Sequence, residues 1–334
     1  MAMCNKLISL AFLLVLVSCS QPKQSDELNS FAWTDFRGEV SLKGRVLDFD
    51  EDVMRPFSVQ VFDSVLVTLE PAGDMVCQLF NLNTGTKIGD RLRKGEGPNE
   101  MLMPMFVNNG EGIQFIDLAM AAFYKYDWTD FLNNSHPEPF GKGKLSESVD
   151  SEMQMLGDNY VGYQYFKEQL LYLFDKSGNK VKPLAGFTED AGSLPAEMRA
   201  DAYQMGYVSN GKDKVAVTYY MTDIIEIWNG EGELVKHLHG PEKFEYSNKG
   251  KDAFFTPKNA GNQFFVLYNG RNRTEEAHNS SCTKLLSFSW DGIPQYVYTL
   301  DDPIFTYCVD VKKRKIYGVS TIPEYHIVEY TLPE

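Results

Sequence analysis

The sequence predicts an all-β fold made of repeated four-stranded antiparallel sheets, and three observations support this prediction. A β-rich run recurs six times, each copy is followed by a second aromatic run, and Asp or Asn steps leading to Gly supply turns. Of the 334 residues, 43% are apolar and 13% aromatic, which supports a sizeable core and argues against disorder. Repeats of about 40 to 50 residues have the size of a propeller blade. We therefore predict a six-bladed β-propeller, with a β-sandwich or another blade count as the alternatives.

The runs that carry this prediction are rich in Val, Ile, Phe and Tyr, which pack well on a half-buried pleated surface. The first runs lie at 64–70, 112–118, 159–165, 214–220, 263–269 and 315–321. The second runs lie at 76–92, 122–132, 170–184, 224–238, 285–300 and 325–334. A shorter stretch before each first run is predicted to form the innermost strand of its blade. Such short strands bury both faces only by stacking against neighbouring sheets, which favours a ring.

The ends of the repeat region predict how the ring closes. Because the last run supplies only a third strand, residues 40–49 (VSLKGRVLDF) are expected to provide the fourth strand and lock the last blade. One helix is predicted, at residues 193–205, where Ser193 is a candidate N-cap and Pro195 lies in the first turn. The predicted propeller domain spans residues 36–334.

The N-terminus carries an export signal. Residues 7–18 form an apolar run behind Lys6, and this run is shorter than the roughly 20 residues that a transmembrane helix needs. It is therefore interpreted as part of a signal peptide covering residues 1–18. The run ends in Leu16-Val17-Ser18-Cys19, which resembles the lipobox of bacterial lipoproteins. The resemblance implies cleavage before Cys19 and acylation of its thiol. An ordinary secretory signal and an uncleaved anchor are the alternatives.

The implied lipid anchor predicts a location at the cell envelope. A diacylglycerol on Cys19 supplies two acyl chains, such as palmitate, where a single chain holds a protein only weakly. Residues 19–35 include the polar stretch SQPKQSDELNS without periodicity, so they are predicted to form a flexible tether. We expect the membrane partner to be the outer membrane, with the periplasmic or surface side left open.

Charge and cysteine content narrow the function classes further. The 32 Lys and Arg residues against 46 Asp and Glu give a net charge of −14, which argues against nucleic acid as a partner. Once Cys4 and Cys19 are set aside, Cys77, Cys282 and Cys308 remain, so at least one thiol is unpaired. Buried free thiols are the preferred interpretation for Cys77 and Cys308 because both lie in strand-like runs.

One further segment, GDRLRKGEGPNE at 89–100, follows the first full hairpin. Together with the lipobox and the six repeats, it resembles the TolB-like six-bladed β-propeller lipoproteins of Bacteroidetes, which often carry a G-x-G-P-x-E step there. The matching residues are Gly95, Gly97, Pro98 and Glu100. The resemblance covers about residues 36–334 and implies a fold and an envelope location, without catalytic residues. Glu100 is expected either to cap the following backbone or to pair with Arg93, and a structural role is preferred over ligand contact.

Catalytic and metal-binding motifs are scarce. The sequence contains no H-E-x-x-H, no G-x-S-x-G and no G-x-x-x-x-G-K-[ST]. His237 and His239 are spaced to share one face of a strand, but no third ligand is evident, so exposed strand histidines are the preferred interpretation. No metal, cofactor or catalytic residue is therefore predicted. Carboxylate pairs for glycoside hydrolysis stay open, because a sequence does not give their separation.

The longest connecting segments favour one face of the predicted ring. They lie at 93–104, 139–152, 186–205, 239–253 and 270–283, and the blade topology places all of them on the same side. Long loops on a rigid scaffold often carry binding residues. Arg271, Arg273 and His278 are therefore candidate contacts to an anionic partner, with Phe254 and Phe255 near the channel mouth.

Three functions are compatible with these observations. The favoured one is a non-enzymatic binding or scaffold module for a protein, peptide or glycan partner, since the anchor and the asymmetric loops come without catalytic motifs. The second is an extracytoplasmic hydrolase or lyase acting on a glycan or peptide. The third is a structural subunit of an envelope assembly.

Overall fold

The computed structural model describes most of the region predicted to fold. It covers residues 30–333, except for 71–72, 111, 166, 168, 188–193, 196–197, 200–201, 244–245, 247–249 and 273–280. The expected signal peptide, residues 1–18, and the expected lipid attachment site, Cys19, lie outside the described residues. Most of the described residues are in strands.

The first part of the chain forms two short strands and two four-stranded units. A 3₁₀ turn at Trp33–Asp35 precedes β1 (Glu39–Leu42) and β2 (Arg45–Leu47). Unit 1 contains β3 (Ser58–Phe62), β4 (Val65–Leu69), β5 (Met75–Asn81) and β6 (Thr86–Arg93). Unit 2 contains β7 (Pro104–Asn108), β8 (Ile113–Asp117), β9 (Ala122–Tyr126), helix α1 (Trp128–Asn133) and β10 (Gly141–Lys144).

The rest of the chain continues the same pattern. Unit 3 contains β11 (Met153–Leu156), β12 (Asn159–Tyr163), β13 (Gln169–Phe174) and β14 (Lys180–Gly186). Unit 4 contains β15 (Met205–Ser209), β16 (Lys214–Tyr219), β17 (Ile224–Asn229) and β18 (Leu234–His239). Unit 5 contains β19 (Phe254–Asn259), β20 (Gln263–Tyr268), β21 (Cys282–Ser289) and β22 (Pro294–Ile304). Unit 6 contains β23 (Thr306–Asp310), β24 (Lys315–Ser320) and β25 (His326–Thr331).

Strands pair antiparallel and in chain order within each unit, which confirms the predicted all-β fold of four-stranded antiparallel sheets. Units 2 and 3 also join along their first strands, because β7 and β11 pair in parallel at Val107 and Met153. The described strands therefore form a series of similar sheets. The first strand of each unit is an edge strand of that unit, and the first strands of units 2 and 3 pair with each other.

The N-terminal segment at 40–49 does not form the single strand that was predicted. β1 pairs in parallel with β22 of unit 5, whereas β2 pairs antiparallel with β25 of unit 6. The chain changes sheets at Gly44, whose backbone N–H donates to Asp301 Oδ1 at 2.8 Å. A Cβ at position 44 would lie 2.4 Å from Val328 Cγ2, so the close approach of the backbone needs glycine.

Apolar side chains fill the space between successive units. Phe123 of unit 2 packs against Tyr160 of unit 3, with ring centroids 5.8 Å apart. Phe80 of unit 1 shares a buried cluster with Tyr317 of unit 6, and β23 packs beside β3. Burying a side chain of this size stabilises a fold by about 1.5 to 3 kcal/mol. The sheets are therefore held to one another mainly by their flat apolar faces.

The run at 122–132 is not one continuous strand. It ends as a strand at Tyr126, and helix α1 follows, with the Asp127 carboxylate accepting the backbone N–H of Asp130 at 2.9 Å. Arg91 of β6 donates to the carbonyl of Phe131 at 2.8 Å. The helix is thus an insertion that packs Phe131 into the core between units 1 and 2.

The predicted helix at 193–205 is helical where it is described. The Arg199 N–H donates to the Pro195 carbonyl at 2.8 Å, and the Tyr203 N–H donates to the Arg199 carbonyl at 3.1 Å. Met198, Arg199 and Ala202 have helical backbone. The proposed cap, Ser193, lies outside the described residues.

The three cysteines of the predicted domain are buried thiols, as predicted for Cys77 and Cys308. Burial raises the pKa of Cys282 and Cys308 to about 12, and it raises the pKa of Cys77 as well. These thiols therefore stay protonated and inert at neutral pH.

Candidate functional site

A cavity of about 140 Å³ lies where the first strands of the units converge. Residues of β3, β7, β11, β15, β19 and β23 contribute to its wall. We call it the axial cavity. Apolar side chains such as Val59 and Val208 form part of this wall. Its polar side chains are Gln60, Asn108, Asn109, Gln154, Lys258 and Asn259.

Carboxamide groups form a hydrogen-bonded network along this wall. The Asn109 amide donates to the Ser209 carbonyl at 2.9 Å and to Gln154 Oε1 at 3.3 Å. Asn259 donates to Asn109 Oδ1 at 3.2 Å, so side chains of units 2, 3 and 5 are linked. Gln60 bonds Asn108 Oδ1, whereas the buried Asn108 Nδ2 has no hydrogen-bond partner among the described residues. Side-chain amides both donate and accept, which suits a neutral polar ligand.

An ion pair crosses the axial cavity from unit 3 to unit 5. Lys258 Nζ lies 3.1 Å from Glu152 Oε1 and 3.2 Å from Glu152 Oε2. Only 12% of the lysine side chain and 18% of the glutamate side chain are exposed. Gln154 donates to Glu152 Oε1 at 3.4 Å. The pair is therefore largely withdrawn from solvent, where its attraction is stronger than at an exposed surface.

Two stacked aromatic rings lie beside this ion pair. The rings of Tyr220 and Phe255 have centroids 5.1 Å apart and planes inclined by 19°. Burial raises the pKa of Tyr220 to about 12, and the negative charge of Glu152 adds to the effect. The phenol is therefore a neutral hydrogen-bond donor at physiological pH.

The glutamate of the ion pair and the two stacked rings lie on the side of the molecule where the first strand of each unit begins, whereas Asn108 and Asn259 end their strands on the opposite side. Glu152 immediately precedes β11, Phe255 lies at the start of β19, and Tyr220 immediately follows the antiparallel strand β16. We call this side the loop face, because the connections between units lie there. It is the face that the loop lengths predict to be functional.

The outcomes differ for the five residues predicted to contact a partner. Phe254 is completely buried in the core between units 4 and 5, which leaves it no surface for a ligand. Phe255 is half-buried and stacks on Tyr220 at the loop face. Arg271 is half-buried, and its carbonyl accepts the backbone N–H of Asp252 at 3.0 Å. Arg273 and His278 lie outside the described residues.

The G-x-G-P-x-E step folds back on its own glutamate. Glu100 Oε2 accepts the Gly97 N–H at 2.9 Å, and the Glu100 N–H donates to the Gly97 carbonyl at 3.1 Å. A Cβ on Gly95 would lie 2.0 Å from Glu100 Oε2, so a larger residue there would displace the capping carboxylate. Pro98 and Glu100 also line a cleft with His136. The expected capping of the following backbone is therefore wrong: the Glu100 carboxylate caps the preceding Gly97, because the turn folds back onto it.

The histidines of β18 are half-buried, so their expected solvent exposure is wrong. His237 Nδ1 lies 3.0 Å from Glu226 Oε1, and the two Nε2 atoms of His237 and His239 lie 3.3 Å apart. The Glu226 side chain is fully buried. Its other oxygen accepts hydrogen bonds from the Tyr219 hydroxyl at 2.8 Å and from Trp228 Nε1 at 3.1 Å.

Sequence reasoning missed Glu226, although a signal was present. The residue is an acid within the apolar strand sequence IIEIWN, and it faces His237 directly in the antiparallel register of β17 and β18. A buried carboxylate needs partners, because desolvating an unpaired charge is costly. An acid in an apolar strand, aligned with a histidine one hairpin away, therefore marks a paired buried carboxylate.

A serine and a histidine of unit 6 meet an aspartate of unit 5, but their connectivity differs from that of a catalytic triad. Asp302 Oδ1 accepts from the Ser320 hydroxyl at 2.7 Å, and Asp302 Oδ2 lies 2.6 Å from His326 Nε2. A triad requires the histidine between the nucleophile and the acid. Here the aspartate occupies the middle position, so this grouping does not activate the serine.

Two further features of the described residues concern metal ions and membranes. No group of three or more His, Cys, Asp or Glu side chains within them is arranged to hold a metal ion. None of the helices in this part of the chain has the length and apolar character of a membrane span.

Stacked four-stranded antiparallel sheets that share a cavity at their first strands define a β-propeller-like fold. The chain belongs to the TolB-like 6-blade propeller-like family, whose sequence model matches residues 35–312. This match confirms the resemblance seen in the sequence. A search of curated proteins found no match.

Solved structures agree with this fold. The chain is similar to a Bacteroides fragilis protein described as exported, with 12% identity, 88% of this chain and 97% of the other covered, and a TM-score of 0.56. It is also similar to a member of the DUF4221 family from Bacteroides vulgatus, with 9% identity, 88% and 98% coverage, and a TM-score of 0.60. At these identities the likeness shows the fold alone.

Proposed function

We propose that this protein is an envelope-anchored, non-enzymatic binding module. Its six units close into a ring, with β2 as the strand that completes the last blade, and its partner docks at the loop face over the axial cavity. The partner is a protein, peptide or glycan that presents neutral polar groups to the carboxamides and an apolar face to Tyr220 and Phe255.

The convergence of these groups along one axis is the observation that supports the proposal: Glu152, Tyr220 and Phe255 lie at the loop face, and Asn108 and Asn259 lie at the far ends of β7 and β19. An ion pair, a set of carboxamides and a stacked aromatic pair come from units 2, 3, 4 and 5, so only the assembled ring brings them together. Binding sites typically combine aromatic surface with a few placed polar groups on a rigid scaffold. The buried amide of Asn108, which lacks a hydrogen-bond partner among the described residues, leaves a donor for a ligand.

The proposed location rests on the N-terminal sequence and on one structural relative. The lipobox-like sequence ending in Cys19 favours acylation, and the Bacteroides fragilis relative is described as exported. We propose anchoring in the outer membrane through Cys19. Metabolic labelling with palmitate tests this: wild type should carry the label in the membrane fraction, and Cys19→Ser should lose it. A labelled Cys19→Ser variant would contradict the proposed anchor.

The proposed binding site is tested by capture from solubilised envelopes. The full chain serves as bait beside three variants: Tyr220→Ala with Phe255→Ala, a version shortened within 270–283, and Val181→Ser as the control. Val181 lies on the outer strand β14 and is 57% exposed, so its replacement leaves the loop face unchanged. We expect a specific partner in wild type and control, and its loss from the aromatic double variant. Retention by that variant would overturn the proposed site.

The same experiment separates the other functions. A structural subunit of an envelope assembly would lose its partner through changes outside the loop face, so Val181→Ser or similar outer-strand variants would reduce capture. A hydrolase or lyase would convert the captured glycan or peptide, which mass spectrometry of the incubated ligand detects. An unchanged ligand agrees with a binding module.

A further inference from the structure

His237 and His239 lie on the outermost strand of unit 4, in a cluster that is separate from the axial cavity. We propose that their two Nε2 atoms form a binding site for a divalent transition-metal ion, and that Zn²⁺ is the ion whose geometry fits. This inference is independent of the proposed partner-binding function.

The separation of the two nitrogens supports the choice of ion. Zn²⁺ binds imidazole nitrogens at about 2.0 to 2.1 Å in tetrahedral sites, which places two such nitrogens about 3.3 Å apart. The observed Nε2–Nε2 distance is 3.3 Å. A square-planar ion with ligands at right angles would instead need a separation of roughly 2.8 Å at the same bond length. The pair therefore has the spacing of two ligands of a tetrahedral site before any ion binds.

Glu226 supplies the support that a metal-binding histidine commonly has. Histidine ligands usually donate their second ring N–H to a carboxylate or carbonyl, which fixes the ring orientation and strengthens the ligand. His237 Nδ1 lies 3.0 Å from Glu226 Oε1, so its proton is held there and Nε2 presents its lone pair. Tyr219 and Trp228 bind the other carboxylate oxygen, which keeps Glu226 in place.

The ring protons of His237 and His239 are accounted for when the ion binds. Without metal, the two facing Nε2 atoms share one proton, because one nitrogen must donate to the other. When Zn²⁺ binds between the two nitrogens, that proton moves to Nδ1 of His239, so both imidazoles stay neutral and each presents an Nε2 lone pair to the ion. The described residues supply two nitrogen ligands here, and a tetrahedral Zn²⁺ takes two further ligands. Mg²⁺ and Ca²⁺ prefer oxygen ligands and are not expected to bind.

Isothermal titration of the purified full chain with ZnCl₂ tests the site. We expect one Zn²⁺ per wild-type chain and an affinity at least tenfold lower in His239→Ala. Glu226→Gln should lower the affinity by about 10- to 100-fold, because the supporting carboxylate is lost. His136→Ala is the control, since His136 is an exposed loop histidine, and its affinity should equal that of wild type.

Two results would overturn the proposal. One is a wild-type chain that binds no Zn²⁺; the other is a His237→Ala, His239→Ala double variant with wild-type affinity. A folding control keeps the test decisive: His239→Ala leaves the bond between His237 and Glu226 intact, so its circular dichroism should match wild type. NMR of the histidine Cε1–H groups adds a second readout, and MgCl₂ should leave these signals unchanged.

Discussion

Two glutamates, one fully buried and one half-buried, are stabilised in different ways in this fold. Glu226 is bound by Tyr219, Trp228 and His237, all within unit 4. Glu152 is held by Lys258, which is 106 residues away and belongs to unit 5. The first carboxylate depends on the pairing of one sheet, whereas the second depends on how two sheets are placed across the axial cavity.

Some features of the molecule are therefore local to one sheet, and others depend on the placement of several sheets. A local network forms with its own hairpin, so it serves as a support for neighbouring histidines. A pair that crosses the cavity forms only when the units have assembled, and it is therefore suited to a site that several units build together. Four substitutions test this distinction.

The largest effect is expected for Glu226→Gln. Glutamine replaces one carboxylate oxygen by an NH₂ group, which cannot accept a hydrogen bond from Tyr219, Trp228 or His237. Buried polar atoms in the core between units 3 and 4 would then be left unpaired. We expect the free energy of unfolding to fall by about 3 to 4 kcal/mol. Urea denaturation followed by circular dichroism measures this. A loss below about 1 kcal/mol would contradict the view that this carboxylate is fully desolvated and bound.

Asp223→Asn tests a buried carboxylate that accepts hydrogen bonds from backbone N–H groups. Asp223 is fully buried, and the burial raises its pKa to about 6 despite hydrogen bonds from the Glu242 and Lys243 backbone N–H groups. Because the folded-state pKa lies above the unfolded value, the stability contribution is complete below about pH 4 and is lost as the pH rises through 6.

The variant should therefore gain stability over wild type as the pH rises, by about 2 to 3 kcal/mol at pH 7 relative to pH 4. Unfolding curves of both proteins at several pH values measure the difference. Parallel curves for the two proteins would show that the aspartate does not titrate near pH 6.

Lys258→Met removes the cation that crosses the axial cavity. The Glu152 charge would lose its partner, but its 18% exposure lets water offset part of the cost. We expect a loss of about 2 kcal/mol in the free energy of unfolding. Adding Glu152→Gln should recover most of it, because no unpaired charge remains. Additive losses in the double variant would contradict a direct coupling between the two residues.

The smallest effect is expected for Glu329→Gln, where β2 meets β25. Burial raises the pKa of Glu329, but the hydrogen bonds and charges of Lys315 and Arg45 outweigh it and lower the pKa below its usual value. Its contribution is therefore present above about pH 4.5 and is lost as the pH falls. The variant should be about 1 kcal/mol less stable at pH 7 and nearly equal to wild type near pH 3. Urea denaturation curves of both proteins at both pH values test this. A stability difference that grows as the pH falls would contradict the predicted pH dependence.

Much of the fold is predictable because its strands follow simple local rules. Runs such as 214–220 and 263–269 alternate with turn residues, and the structure has strands there in units 4 and 5. The prediction fails where one segment serves two sheets. Gly44 splits 40–49 because the chain passes between Asp301 and Val328, and neither contact is visible in the local pattern.

The site is less predictable because its members are far apart in sequence. Phe255 was identified from its position near a long loop, but its neighbour Phe254 points into the core, since adjacent strand residues face opposite sides. Glu152 and Lys258 carry no motif, and only the relative placement of units 3 and 5 reveals their pairing. Glu226, in contrast, was recognisable from its register with His237.

Site-specific photocrosslinking in intact envelopes tests the central claim, that a partner docks at the loop face, most directly. A photoreactive amino acid is placed at Phe255 in one version of the full chain and at Val181 in another. Cells expressing each version are irradiated, and the adducts are compared by mass. A discrete adduct at position 255 that is missing at 181 is the predicted result. An adduct at 181 with none at 255 would contradict docking over the axial cavity.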